Sequence, residues 1–137
     1  MSKIAFDLDG VFVPDCDVIP NLGGLAQFYQ LTTHMRPLFE PTFEYDIITA
    51  RNVRYKDVTA LWCDRYLAAN LPAQLYHDCT DESPSEYKAK VLNQNPQIQV
   101  YVESDAGIVD ELKLLVTTGC NIVLFKHFIN DTLSYEN

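Results

Sequence analysis

The most informative segment of this chain is Ile4-Ala5-Phe6-Asp7-Leu8-Asp9-Gly10-Val11. Its apolar start predicts a short buried strand, and the chain then turns into a loop, so that Asp7 and Asp9 can face the same substrate oxygen. Two carboxylates so placed suit a metal-dependent phosphoryl-transfer site, where one attacks phosphorus and a divalent cation neutralises charge. Calcium loops and acidic turns share this pattern, so the pattern alone does not distinguish them from a phosphoryl-transfer site. The other motifs of the chain are needed to choose between these interpretations.

Four further runs resemble the first, and together they predict strands at 3–7, 45–49, 74–77, 98–103 and 121–126. Short runs rich in Ile, Val, Tyr and Phe are typical of strands buried on both faces of a parallel sheet. Helical stripes between them are expected to be core, one at Val58, Leu61, Trp62 and Tyr66 and one at Ile108, Val109, Leu112, Leu115 and Val116. This alternation predicts an α/β fold, a three-layer Rossmann-like domain over 1–137 with a central, mainly parallel five-stranded sheet.

Residues 13–41 are the least regular part, because prolines and glycines interrupt them around a short predicted helix near 25–32. The segment is too short to form a separate cap domain. The sequence therefore predicts an open active-site face, which suits either a large substrate or a homo-oligomer that completes the site.

The composition limits which classes of partner and which cellular compartment are expected for this protein. The 137 residues carry a formal net charge of −9, which disfavours binding to long nucleic acid. No run is long and apolar enough to span a bilayer, and no signal peptide follows Met1, so no membrane is expected and a cytoplasmic location is the default. The cysteines, which are expected to be reduced thiols rather than a zinc site, are Cys16, Cys63, Cys79 and Cys120.

In a parallel sheet the carboxyl ends of the strands form one edge, where sites assemble. That rule brings together four groups, which are Asp7/Asp9, Thr49/Arg51, His77/Asp78 and Glu103/Ser104/Asp105. His77 is expected to be a packing or loop residue rather than a catalytic base.

Each group also has a plainer interpretation. The Thr49 hydroxyl and nearby backbone N–H groups can hold a phosphoryl oxygen, but Thr49 also suits a helix N-cap. Lys88 can stabilise a transferring phosphoryl group, although an isolated lysine is usually solvated. Glu103 and Asp105 offer hard oxygen ligands for Mg²⁺, but acidic residues also favour a helix N-terminus.

The order of these motifs along the chain resembles the haloacid dehalogenase superfamily of phosphohydrolases, especially its small, capless, nucleotidase-like members. The most specific parts are Phe6-Asp7-Leu8-Asp9-Gly10-Val11 and Ile47-Ile48-Thr49-Ala50-Arg51, and the likeness extends from Ile4 to about Phe125. The segments 88–92 and 101–112 are similar to the later motifs of the same family.

The resemblance implies a role for each residue. Asp7 would be the nucleophile that forms an aspartyl-phosphate, and Asp9 the acid that protonates the leaving oxygen and later the base that activates water. The phosphoryl oxygens would be held by Thr49 and Lys88, with Lys90 as the alternative lysine. Ala50 and Arg51 would border the substrate.

The resemblance also implies a Mg²⁺ ion, held by Asp7, the backbone carbonyl of Asp9 and an acid of the last motif. Here the chain departs from the family, because Ser104 stands where an aspartate is usual. Strand alternation predicts that Glu103 and Asp105 share one side and Ser104 the other, so that either acid could be the ligand.

The expected function is a Mg²⁺-dependent phosphomonoesterase for a small phosphorylated substrate such as a nucleotide. Arg51, Arg54 and Lys56 favour an anionic substrate despite the negative net charge. The alternative is a catalytically weak or inactive relative that binds phosphorylated ligands or a protein partner, an interpretation suggested by Ser104.

Overall fold

The computed structural model describes residues 3–14 and 25–126. Its strands are β1 Lys3–Phe6, β2 Asp46–Ile48, β3 Leu75–Tyr76, β4 Ile98–Glu103 and β5 Asn121–Leu124. Its helices are α1 Leu25–Thr32, α2 Lys56–Tyr66, α3 Pro84–Gln94 and α4 Ala106–Leu115, with a 3₁₀ turn at Val53–Tyr55. The α/β prediction is confirmed, since each predicted strand contains an observed one.

All five strands are parallel and lie in the order β3-β2-β1-β4-β5. The chain therefore builds the sheet outward from β1 in one direction and then in the other. The carboxyl end of such a central strand is the topological switch point, where open α/β sheets form their ligand crevice. Asp7 directly follows β1 and so stands at that point.

Strand alternation divides the core into two layers. Ala5, Ile48 and Tyr101 belong to a cluster that packs with α3 and α4. Their strand neighbours Phe6, Ile47 and Val102 belong to the other cluster, which packs with α2. Because successive side chains point to opposite faces, the same alternation sends the groups at the strand ends toward different helices.

The predicted helical stripes are only partly core. Trp62 and Leu112 are buried, as expected. Leu61 is 60% exposed and Leu115 is 44% exposed, so their assignment to the core was wrong. Leu61 borders a groove between α1 and α2, and Leu115 is the last residue of α4.

Some predictions fall outside the described residues, namely those on 15–24, which include Cys16, and on the tail from 127 to 137. The predicted helix near 25–32 is confirmed as α1. Cys63, Cys79 and Cys120 are free thiols. None of the helices in 25–126 is long and apolar enough to cross a membrane.

Candidate active site

The site is a cavity of about 250 Å³ at the carboxyl edge of the sheet. Seven predicted site residues border it, and these are Asp7, Asp9, Ala50, Arg51, Lys88, Glu103 and Asp105. Thr49 is the exception: it is 1% exposed, and its hydroxyl accepts a hydrogen bond from the Arg51 backbone N–H at 3.2 Å. Thr49 is not a helix N-cap, because Asn52 caps the 3₁₀ turn that follows.

Asp7 is a buried carboxylate with a separate donor for each oxygen. Its Oδ1 accepts from the Leu8 backbone N–H at 2.9 Å and from Lys88 Nζ at 3.2 Å. Its Oδ2 accepts from the Ser104 hydroxyl at 3.0 Å. Burial raises the pKa of Asp7 well above its ordinary value, against the opposing charge of Lys88. Asp7 is therefore fixed in position. The positive charge of Lys88 does not fully compensate the burial of its ionised form.

Lys88 lies between two carboxylates on the α3 side of the sheet. Its Nζ donates to Asp7 Oδ1 at 3.2 Å and to Glu103 Oε1 at 2.7 Å, and the residue is 3% exposed. Burial alone would lower the pKa of Lys88, but the two carboxylates outweigh it and raise that pKa. Lys90 is exposed and pairs instead with Glu82 at 2.7 Å. Of the two candidate lysines, Lys88 is therefore the one beside Asp7.

Glu103 is saturated with hydrogen bonds. Its Oε1 also accepts from the Tyr101 hydroxyl at 2.9 Å, and its Oε2 accepts from the backbone N–H groups of Ser104 and Asp105 at 3.0 and 3.1 Å. Burial acts to raise the pKa of Glu103, but the Lys88 charge and the hydrogen bonds from Lys88 and the Asp105 N–H hold it below its ordinary value. Glu103 is thus an ionised counter-charge that anchors Lys88.

In the segment Glu103-Ser104-Asp105, Ser104 is the residue whose side chain contacts both Asp7 and Asp9. Its hydroxyl is 3.0 Å from Asp7 Oδ2, 2.9 Å from the Asp9 backbone carbonyl and 3.4 Å from Glu103 Oε2. Glu103 Oε2 already accepts from two backbone N–H groups, so the single hydrogen of the hydroxyl is shared between Asp7 Oδ2 and the Asp9 carbonyl. The position therefore has an excess of oxygen acceptors, which is the environment that a hard cation prefers.

Asp105 has a different task from Glu103. β4 ends at Glu103, so strand alternation no longer applies at Asp105, whose side chain caps α4 by accepting from the Ile108 N–H at 3.0 Å. The helix-terminus interpretation is therefore confirmed for Asp105. No cluster of three or more His, Cys, Asp or Glu side chains suited to a metal occurs within 3–14 and 25–126.

Asp9 lies on the α2 side of the site, where Arg51 donates two hydrogen bonds to it. Arg51 Nε donates to Asp9 Oδ2 at 2.9 Å, and its second terminal nitrogen donates to Oδ1 at 2.7 Å. This fork geometry is a strong form of ion pair. For Asp9 to transfer a proton, the pair with Arg51 has to open or rearrange.

Thr59 and His77 hold Arg51 from behind. The Thr59 hydroxyl accepts from an Arg51 terminal nitrogen at 3.0 Å, lies 3.0 Å from His77 Nε2 and donates to the Tyr55 carbonyl at 3.1 Å. Because that single hydrogen is used on Tyr55, His77 Nε2 carries a proton and donates. Burial lowers the pKa of His77 to about 4, and the nearby Arg51 cation adds to this, so the ring is neutral near pH 7.

Replacing Thr59 tests that support. We expect Thr59→Val, which keeps the shape, to lower the free energy of unfolding by about 1–3 kcal/mol, because two buried donors lose their acceptor. Thr59→Ser keeps the hydroxyl and should stay near the wild type. Urea unfolding of both variants measures the difference, and equal stability of the two would contradict the hydrogen-bond network.

Gly10 gives the loop its shape, since its φ of 87° lies in the left-handed region. We expect Gly10→Ala to cost about 1–2 kcal/mol of stability. Because the substitution also shifts the neighbouring Asp9, any activity of the site should fall as well. Gly119 is a matched control, with φ of 81°, open space around its Cα and no part in the cavity. Gly119→Ala should show a similar stability loss with activity unchanged, and a parallel activity loss in both variants would contradict a local role for Gly10.

Sequence reasoning missed three residues that support the site, namely Tyr29, Thr59 and Tyr101. Tyr101 could have been found by alternation, because it lies two residues before Glu103 on the same strand. Thr59 is a buried polar residue on α2, and its position on the helix gives no signal of its partner. Tyr29 packs its ring on the Arg51 guanidinium at 4.1 Å, a contact between segments far apart in sequence.

Comparison with protein-family models, with curated proteins and with solved structures finds no match to this chain.

Proposed function

We propose that this protein is a Mg²⁺-dependent phosphomonoesterase that forms an aspartyl-phosphate on Asp7, with a nucleotide or another small phosphorylated metabolite as substrate. The observation that carries the proposal is the buried Asp7 carboxylate, held at the cavity by Lys88 on one oxygen and Ser104 on the other. A fixed carboxylate next to a buried cation suits nucleophilic attack on a phosphoryl group, whose negative charge the cation offsets.

The oxygen-rich position around Ser104 fits a Mg²⁺ ion. Asp7 Oδ2, the Asp9 carbonyl and the Ser104 hydroxyl would hold it, because Glu103 and Asp105 are engaged elsewhere. Mg²⁺ commonly takes one or two carboxylates and completes its shell with water and substrate oxygens. When bound, the ion would neutralise charge on Asp7 and on the phosphoryl group.

The side chains then carry out two displacements. Asp7 attacks phosphorus, the ester P–O bond breaks, and Asp9 gives a proton to the departing oxygen. In the second step Asp9 takes a proton from water as that water attacks phosphorus, which releases phosphate and restores the Asp7 carboxylate. Lys88 keeps Asp7 oriented and stabilises the charge that develops on the transferred group.

Arg51 links binding to this chemistry. Its guanidinium borders the cavity and is paired with Asp9. A phosphoryl group is an equally good partner for a planar guanidinium. Substrate that binds Arg51 would release Asp9 for proton transfer.

The second candidate is a weakly active or inactive module that binds phosphorylated ligands. The Asp9–Arg51 pair favours it, because both Asp9 carboxylate oxygens already accept hydrogen bonds from Arg51. In this alternative the ligand's phosphate occupies Arg51 and Lys88, and Asp7 stays unmodified.

Phosphate release separates the two candidates. We expect the purified protein to release inorganic phosphate from an aryl phosphate and from nucleoside monophosphates when Mg²⁺ is present. Chelation should abolish release, and added Mg²⁺ should restore it, since a bound ion would neutralise charge on Asp7 and on the phosphoryl group. Ligand binding by calorimetry without phosphate release across the panel would favour the binding module and contradict the enzyme.

A further inference from the structure

A row of side chains in contact leads from the cavity to the surface. The Arg51 guanidinium lies 4.1 Å from the centre of the Tyr29 ring, and Tyr29 meets Tyr55 edge-on with 4.8 Å between ring centres. The exposed Arg54 guanidinium then lies 5.5 Å from the Tyr55 ring. Arg51 and Tyr29 border the cavity, whereas Arg54 and Tyr55 border a second space, so the row lies between the two.

That second space is a groove of about 510 Å³ between α1 and α2. Arg54 and Arg65 supply two guanidinium groups to it, while Asp57 is the carboxylate among its lining residues. Tyr55 and the 60% exposed Leu61 give it apolar surface. The groove thus pairs positive charge with flat apolar surface on a chain whose net charge is −9.

These features match a particular kind of leaving group. Guanidinium groups are suited to phosphate through paired hydrogen bonds. Aromatic rings beside arginines bind nucleobases by stacking, with little dependence on base identity. A substrate that reaches from the cavity into the groove would present both a base and a further phosphate there.

We propose that the groove binds the leaving-group part of the substrate, and that this part is a nucleoside carrying a second phosphate. The inference rests on the proposed phosphomonoesterase, because it assigns the phosphate to be removed to the cavity. The second phosphate contacts Arg54 and Arg65, and the base packs against Tyr55. A nucleoside bisphosphate and a dinucleotide with a terminal phosphate share this chemistry.

The experiment compares kcat/KM for four substrates: an aryl phosphate, a nucleoside monophosphate, the matching bisphosphate and a dinucleotide with a terminal phosphate. We expect the wild type to prefer at least one of the last two over the monophosphate by about tenfold, the effect of one charged contact. Arg54→Gln/Arg65→Gln should remove that preference. A higher kcat/KM for the bisphosphate identifies a free nucleotide as the source of the second phosphate, and a higher kcat/KM for the dinucleotide identifies an oligonucleotide end.

Lys113→Gln is the matched control, since Lys113 is a cation in the last turn of α4, outside the groove lining. It should keep the preference. An equal loss in this control would indicate a general charge effect and overturn the proposal, as would a wild type with no preference.

A binding measurement tests the groove assignment without relying on turnover. Calorimetry with the bisphosphate should give a dissociation constant about tenfold weaker for Arg54→Gln/Arg65→Gln than for the wild type. If no substrate is hydrolysed but this difference is found, the proposed function fails and the groove assignment stands. If substrates are hydrolysed but the variant binds as the wild type does, the groove assignment fails alone.

Discussion

Asp7→Asn should remove phosphate release almost completely, by about three orders of magnitude or more, because an amide cannot form the covalent intermediate. The fold should survive the change. The ionised Asp7 carboxylate is disfavoured by burial, which raises its pKa, and Lys88 keeps its shorter contact with Glu103 at 2.7 Å. We therefore expect a free energy of unfolding no lower than that of the wild type. Steady-state phosphate release and urea unfolding measure the two effects.

Asp46→Asn is the matched control for this experiment. Asp46 is also a fully buried aspartate, and burial raises its pKa while Lys3 at 3.2 Å opposes the shift. It opens β2 and therefore lies at the opposite edge of the sheet from the cavity. This variant should keep wild-type phosphate release. A comparable loss in both variants would mean that any buried aspartate is needed and would contradict a chemical role for Asp7.

Lys88→Met should damage both activity and stability. Removing the cation leaves Asp7 and Glu103 as buried carboxylates without a counter-charge, which should cost about 3–5 kcal/mol of stability. Phosphate release should fall about a hundredfold or more, because the site loses a charge that stabilises the transition state. Thermal unfolding and phosphate release on the same preparation test both expectations.

Two further variants distinguish the role of Lys88 as a structural counter-charge from its role in the reaction. Lys90→Met removes an exposed lysine two positions away, paired with Glu82, and should change stability by no more than about 1 kcal/mol. Lys88→Met/Glu103→Gln removes one of the stranded carboxylates, so stability should partly return while activity stays low. Recovery of activity in the double variant would show that Lys88 acts only as a structural counter-charge.

The fold could be predicted from sequence because its signals are local. Each strand is a short apolar run, and the parallel order follows from strands alternating with helices. Burial along a helix was harder to predict. Leu61 matches the stripe of α2, but it lies beside the groove to α1, and only the packing of two helices decides that.

The site could be predicted in outline but not in its hydrogen bonding. The shared sheet edge predicted that Asp7, Asp9 and Glu103 lie together, as they do, whereas Lys88 was expected there only from the resemblance, because it lies on α3. The pairing of Asp9 with Arg51 joins residues 42 positions apart, and no periodicity indicates it. The separate task of Asp105 arises because β4 ends at Glu103, two residues before Asp105, so strand alternation does not extend that far.

If Asp7 is the nucleophile, it carries a phosphoryl group during turnover, and that group can be trapped. The protein is mixed with substrate and Mg²⁺, quenched in acid and digested, and the peptide containing Asp7 is analysed by mass spectrometry. We expect one added phosphoryl group on Asp7, absent from the Asp7→Asn variant. Phosphate release with the label on another residue, or a label on Asp7 that never turns over, would contradict it.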